Sequence, residues 1–159
     1  MPDELYDVAQ VCMSGHVTNS GTRDYPEHNQ EFCKICGKKT ITQCPWCSKT
    51  IRGAHRMAAP RSPFSAPAFC IECGKPYPWT ASRLEAARSL ADEIDGLSEP
   101  ERITLKSTLD DLIRDTPMTA VAAVRFKKLV ARGGKQVADA FKDILVDIVS
   151  ESVRKSLWG

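Results

Sequence analysis

The chain has no apolar run approaching the ~20 residues that a membrane-spanning helix requires. The stretch from Met1 to Gln10 carries Asp3, Glu4 and Asp7 and lacks the basic start and apolar core of a secretory leader. Neither sign of charge dominates: a formal net charge of +2 over 159 residues implies no partner by itself. Past Trp79 there is no cysteine and no histidine, and only two prolines remain. No phosphate-cradling glycine loop, nucleophile–base pair or carboxylate pair stands out, so no catalytic residue is assigned and a non-enzymatic role is expected. No internal repeat stands out either. These absences point to a soluble, cytoplasmic chain, in a compartment whose redox poise disfavours structural disulfides.

What is present is concentrated. All seven cysteines, all three histidines and eight of the ten prolines lie in residues 1–79. An odd cysteine count argues against a disulfide framework. The spacing is Cys12-Met-Ser-Gly-His16, Cys33-Lys-Ile-Cys36, Cys44-Pro-Trp-Cys47 and Cys70-Ile-Glu-Cys73. Each pair is short enough for both side chains to reach one ion, and two tetrahedral zinc sites need the eight ligands these pairs supply. Gly37 and Gly74 directly follow Cys36 and Cys73, as tight zinc knuckles with a positive φ require. His16 is the best-placed eighth ligand; His28 and His55 read as solvated bystanders.

How the pairs combine is open to three arrangements, one of which forms a single ribbon across the seven-residue link from Cys36 to Cys44 and leaves the outer pairs together. The sequential one joins the first pair to the second and the third to the fourth. The cross-braced one joins the first to the third and the second to the fourth. Gaps of 16, 7 and 22 residues between pairs resemble the long–short–long order of RING and FYVE fingers, which tips the expectation slightly towards cross-bracing. In any arrangement, four protein ligands close each site to hydrolytic water and leave the two ions a structural role.

Between Cys33 and Ile71 there is no Asp or Glu, while Lys34, Lys38, Lys39, Lys49, Arg52, Arg56 and Arg61 are all basic. They either offset the negative charge of the thiolate sites or form a nucleic-acid surface, with Trp46 and Phe64 for stacking. Met13, Trp46, Phe64 and Trp79 are either a recognition surface for another protein or the small core around the metals. The segment from Ser48 to Phe69, with Gly53, Pro60, Pro63 and Pro67, reads as a loop.

The boundary falls at Pro76-Tyr77-Pro78-Trp79, with Thr80 or Ser82 as the next N-cap. Residues 80–159 read as about four helices. Leu84, Ala87, Leu90, Ala91 and Ile94 stripe the first, over 81–96. Ser98-Glu99-Pro100-Glu101 is a capping box opening the second, striped by Leu105, Leu109, Leu112 and Ile113. After Thr116-Pro117 the third turns Val121, Ala122, Phe126, Leu129 and Val130 inward. Beyond Gly133-Gly134 a single helix over 135–157 carries Val137, Phe141, Ile144, Leu145 and Ile148. Val146, Val149, Val153 and Leu157 widen its apolar arc to roughly 200°, more than a one-sided surface helix needs. Such a helix is either the centre of the helical half or a self-association surface.

Tyr6 to Cys12 with Gly15-His16, Phe32-Cys33 to Gly37, Cys44-Pro45 to Cys47, Ile51-Arg52-Gly53 and Cys70 to Trp79 together resemble a family of uncharacterised bacterial proteins. That family has N-terminal zinc-ribbon or treble-clef-like fingers and a helical C-terminal region. The resemblance implies a bacterial source and metal binding by Cys12, His16, Cys33, Cys36, Cys44, Cys47, Cys70 and Cys73. The expected architecture is a small zinc-stabilised hairpin-and-knuckle module over residues 1–79, followed by an α-helical domain over 80–159. The expected function is an adaptor binding a protein partner, with the helices for docking or homo-oligomer formation. A RING-like ligase or adaptor in a ubiquitin-like pathway and a nucleic-acid-binding protein are the alternatives.

Overall fold

A computed structural model describes residues 5–59 and 62–159. The chain divides into two compact units, one up to residue 81 and one from residue 82.

The first unit is built from very short strands. β1 (Tyr6–Val8) pairs antiparallel with β5 (Arg52–His55), and β2 (Gln10–Cys12) lies between β3 (Val17–Asn19) and β4 (Thr40–Ile41). Ala9 links the two sheets, donating its N–H to Ile51 O at 2.9 Å. The core beneath is small: Ala9, Val11, Ile51, Tyr77 and Trp79 pack with the sulfurs of Cys44 and Cys70. Tyr77 and Trp79 stack at 4.6 Å. The indole N–H donates to Pro67 O at 2.9 Å, and the Thr80 hydroxyl donates to Ala68 O at 2.8 Å. Two carbonyls of a proline-rich segment with few backbone donors are satisfied in this way.

Two expectations change here. The span from Ser48 to Phe69 is not all loop, because Arg52–His55 is a strand. Its sequence has little intrinsic β preference; tertiary pairing overrides that. Gly53 permits the pairing, since a Cβ there would sit 2.4 Å from Ser20 O and 2.9 Å from Asp7 O. Thr80 and Ser82 are not caps either. The helix α1 already starts at Pro78 and runs to Asp92, with a proline whose missing N–H needs no partner in the first turn.

The second unit continues with α2 (Glu99–Leu112), α3 (Thr119–Val130), α4 (Gly134–Leu145) and α5 (Glu151–Trp158). The capping box is formed: Ser98 accepts from Glu101 N, and the Glu101 carboxylate accepts from Ser98 N. Leu105, Leu109, Leu112 and Ile113 are buried on α2 and just past its end, as are Ala122, Phe126 and Val130 on α3. Phe126 meets Phe141 of α4 edge-on at 5.4 Å. Val121, expected inward, is 41% exposed. The four expected helical segments are present, but the last is interrupted between Leu145 and Glu151. Ser150 caps α5 by accepting from Val153 N. Arg83 donates to Ile144 O at 3.1 Å and Arg154 to Val146 O at 2.7 Å, satisfying carbonyls that the break exposes. The wide apolar arc is therefore divided between two short helices, and Phe141, Leu145, Ile148, Val149 and Val153 are all buried. Among the described residues, no helix is long and apolar enough to cross a membrane.

Candidate metal centres

The eight residues singled out from spacing fall into two clusters, each able to hold a metal ion. Cys12, His16, Cys33 and Cys36 form one; Cys44, Cys47, Cys70 and Cys73 form the other. The grouping is sequential and replaces the cross-braced order that the gap lengths suggested. The reason is local. β4 hydrogen-bonds beside β2 and so carries the Cys33–Cys36 turn, just ahead of it, to the end of β2 where Cys12 sits. The 22-residue gap folds back through β5 and returns Cys70 to Cys44.

Three of the four pairs share one construction. Cys33 N donates to Lys38 O at 2.8 Å and Gly37 N to Cys33 O at 2.7 Å. Cys44 N donates to Lys49 O and Ser48 N to Cys44 O; Cys70 N donates to Lys75 O and Gly74 N to Cys70 O. Each turn is flanked by a bridge, Phe32 with Lys39, Gln43 with Thr50, and Phe69 with Pro76. The chain thus carries an internal repeat after all, a knuckle C-x-x-C-(G/S)-K, legible as that string at 33, 44 and 70. Gly37 and Gly74 adopt φ of 73° and 74°, and Ser48 takes the same place at 63°. Cys12 and His16 form a different turn, with Cys12 N donating to His16 O and His16 N to Cys12 Sγ at 3.3 Å.

Within the first cluster, His16 Nδ1 lies 3.4 Å from Cys12 Sγ and 3.6 Å from Cys33 Sγ, and Cys12 Sγ lies 3.6 Å from Cys36 Sγ. In the second, Cys44 and Cys73 sulfurs are 3.8 Å apart and those of Cys47 and Cys70 are 3.7 Å apart. These separations are far beyond a disulfide bond, and all seven thiols are free. His28 and His55 lie outside both clusters. His28 sits in a 3-10 turn at Pro26–His28, and His55 Nδ1 accepts from Met57 N at 3.1 Å.

Crowding splits the thiol acidities. The Lys38 N–H, with help from the Ser14 hydroxyl, brings Cys36 down to about 6. Burial raises Cys12. Burial also opposes ionisation of Cys70, but the N–H groups of Cys73 and Glu72 and the Tyr77 hydroxyl outweigh it and bring that thiol to about 6. The Lys49 N–H favours the Cys47 thiolate, yet burial and the neighbouring sulfurs push it up to about 11. Four such sulfurs ionise together only around a cation.

The surroundings sort the remaining candidates. Trp79 is core, at 2% exposure, and Met13 and Phe64 are half-buried, so of the three aromatics and one methionine expected to serve recognition only Trp46 stands in solvent. Ile35 and Ile71 are exposed at the tips of the other two knuckles. Lys34, Lys38, Lys39 and Lys49 are exposed, and Lys75 Nζ lies 5.2 Å from the Trp46 ring centre. Arg52 and Arg56 are engaged elsewhere, Arg52 over the Tyr6 ring and Arg56 in a fork with Asp24. Arg61 lies outside the described residues. Asp7, which no motif singles out, is a buried carboxylate accepting from the N–H groups of Val8, Arg23 and Asp24.

No curated protein and no solved structure matches the chain significantly. A family model does, over residues 5–157, and with nearly the whole length covered the chain belongs to DUF2321, a family of uncharacterised proteins conserved in bacteria.

Proposed function

We propose that the two clusters hold structural zinc ions and that the unit they stabilise is a binding module, offering its knuckle tips to a protein partner. The observation that carries the zinc assignment is the edge length of the clusters. A tetrahedron with Zn–S bonds of ~2.3 Å has S···S edges of about 3.8 Å, and with Zn–N of ~2.0 Å its S···N edges are about 3.5 Å. The sulfur pairs stand at 3.6 to 3.8 Å and His16 Nδ1 at 3.4 and 3.6 Å from its neighbours. Thiolate and imidazole donors suit zinc, and a full set of four protein ligands suits a structural rather than a hydrolytic ion. His16 would bind through Nδ1 and keep its proton on Nε2. Free thiols throughout suit a reducing cytoplasm.

The partner reading rests on Ile35, Trp46 and Ile71, three large apolar side chains exposed at 60% or more on the knuckle tips among lysines. Apolar groups so placed gain by docking, and the surrounding lysines favour an acidic rim on the partner. Exposed Phe32 beside Lys34, Lys38 and Lys39 favours nucleic acid as a second reading. A salt-dependent mobility shift lost on reversing the charge of Lys38 and Lys39 would support it. The ubiquitin-like pathway reading rested on cross-bracing, and the sequential grouping removes that ground.

Elemental analysis of the purified chain tests the zinc assignment. Two equivalents of zinc are expected, with Cys12→Ser and Cys44→Ser each losing about one. Iron in place of zinc, or no metal with all thiols titrating, refutes it.

A further inference from the structure

Beside the sheet of β1 and β5 lies a cavity of about 730 Å³, within the size range of small-molecule sites. Tyr6, Tyr25 and Phe64 give it flat apolar walls; Arg52, His55 and Asp24 supply its polar groups. Of the three knuckle-tip side chains, Ile71 lines it and Ile35 and Trp46 do not, so it borders one tip and lies away from the other two.

Its charged groups differ in what they are free to do. The Asp7 carboxylate in the wall is filled by three backbone N–H groups. Asp24 is gripped by the Arg56 fork, with Nε at 3.1 Å from one carboxylate oxygen, and its carboxyl is held below the usual range by that contact. Arg52 is different. Its guanidinium rests over the Tyr6 ring at 4.4 Å, and among the described residues no carboxylate lies within ion-pair distance of it. The Tyr6 ring is braced edge-on by His55 at 5.1 Å, and His55 is fixed by Met57 N. The guanidinium is thus held in place by a stack that leaves its donor edge uncommitted, the state in which arginine recognises carboxylate or phosphate as a fork. A cationic ligand would find both carboxylates already satisfied. A second cavity sharing Tyr6, Asp7 and Arg52 as walls is lined by Arg23 and Lys49 and, against them, by Glu72.

We propose that this cavity binds a small flat aromatic anion, its ring between the walls of Tyr25 and Phe64 and its carboxylate or phosphate on Arg52. The site needs no residue of either metal cluster, and it shares with the docking surface proposed above only Ile71, which the proposed contacts do not use.

The test titrates the ¹⁵N-labelled, metal-loaded full chain with 2-naphthoate, 2-naphthyl phosphate and the uncharged 2-naphthamide, following backbone amide shifts. Both anions are expected to move the amides of Tyr6, Tyr25 and Arg52 to His55, while the amide isostere at equal concentration does not. Tighter binding of the phosphate identifies a phosphate monoester as the natural ligand, and tighter binding of the naphthoate identifies a carboxylic acid. Arg52→Gln should weaken binding tenfold or more with the dispersed spectrum retained, and Arg52→Lys should recover part of the loss. Equal binding of the uncharged amide, unchanged affinity in Arg52→Gln, no shifts with either anion, or shifts centred on Ile35 and Trp46 would each overturn the proposal.

Discussion

The two units of the chain are nearly equal in length and are held together by different means. The helical unit buries at least one leucine, valine or phenylalanine on every helix, the ordinary route to stability. The first unit has strands of two to four residues and a core in which cysteine sulfurs stand among the apolar side chains. Strands so short cannot sustain a fold by pairing alone. One half depends on the solvent's expulsion of hydrocarbon; the other has little of that and offers two clusters of sulfur and imidazole donors that could hold it by coordination.

The largest effect should come from removing the metals. Structural zinc contributes on the order of 10 kcal/mol of folding free energy per site, so a strong chelator at neutral pH should collapse the amide dispersion of residues 5–59. Far-UV helicity from α2 to α5 should persist. Loss of both together would show that the halves do not differ as described.

Acid should do the same by protonation. Cys36 and Cys70 ionise at about 6 in the folded unit against an ordinary thiol value of 9.0. Depressed acidities of this kind stabilise the fold above the ordinary value, and the contribution is lost as pH falls through about 6. Metal release, followed with a chromogenic chelator, should therefore stay low at pH 8 and rise below pH ~6. A release curve flat down to pH 4 would contradict the thiolate ligand set.

Phe141→Ala attacks the other half. Phe141 is fully buried against Phe126, and its truncation should cost about 3–5 kcal/mol in denaturant unfolding of the helices. The metal content should remain at its wild-type value. The smallest change is Ser48→Gly. It relieves a left-handed serine at the position where the other two knuckles carry glycine, and should add about 0.5 kcal/mol to the metal-bearing unit alone.

Local sequence signals end where contacts between distant parts of the chain take over. The cysteine pairs and the Ser98 capping box were legible because their geometry is written within a few residues. The pairing of the pairs was not, since a gap length does not reveal that β4 would lie beside β2 and bring Cys33 to Cys12. The break between Leu145 and Glu151 carries no proline or glycine; it is sustained by Arg83 and Arg154, one of them far away in sequence. Strand β5 was hidden because Arg52–His55 pairs only through the close approach that Gly53 allows. Asp7 had no motif, and Arg52 stood out only as one basic residue of a run and within Ile51-Arg52-Gly53, because their roles depend on which backbone and which ring the fold brings to them.

The knuckles divide labour in a way that bears on how such a chain can change. In each, the cysteines and the residue at positive φ set the turn, while the side chains of the two residues between the cysteines are exposed; only their backbone serves the turn, with Ile35 N and Glu72 N donating to Cys33 Sγ and Cys70 Sγ. Ile35, Trp46 and Ile71 occupy those slots. They can be exchanged for other side chains without changing the set of cysteines and histidine beneath, so what the unit displays is separable from its candidate ligands. Three interchangeable tips on one fixed frame let a new recognition surface arise by substitution at solvent-facing positions, with the metal sites left untouched.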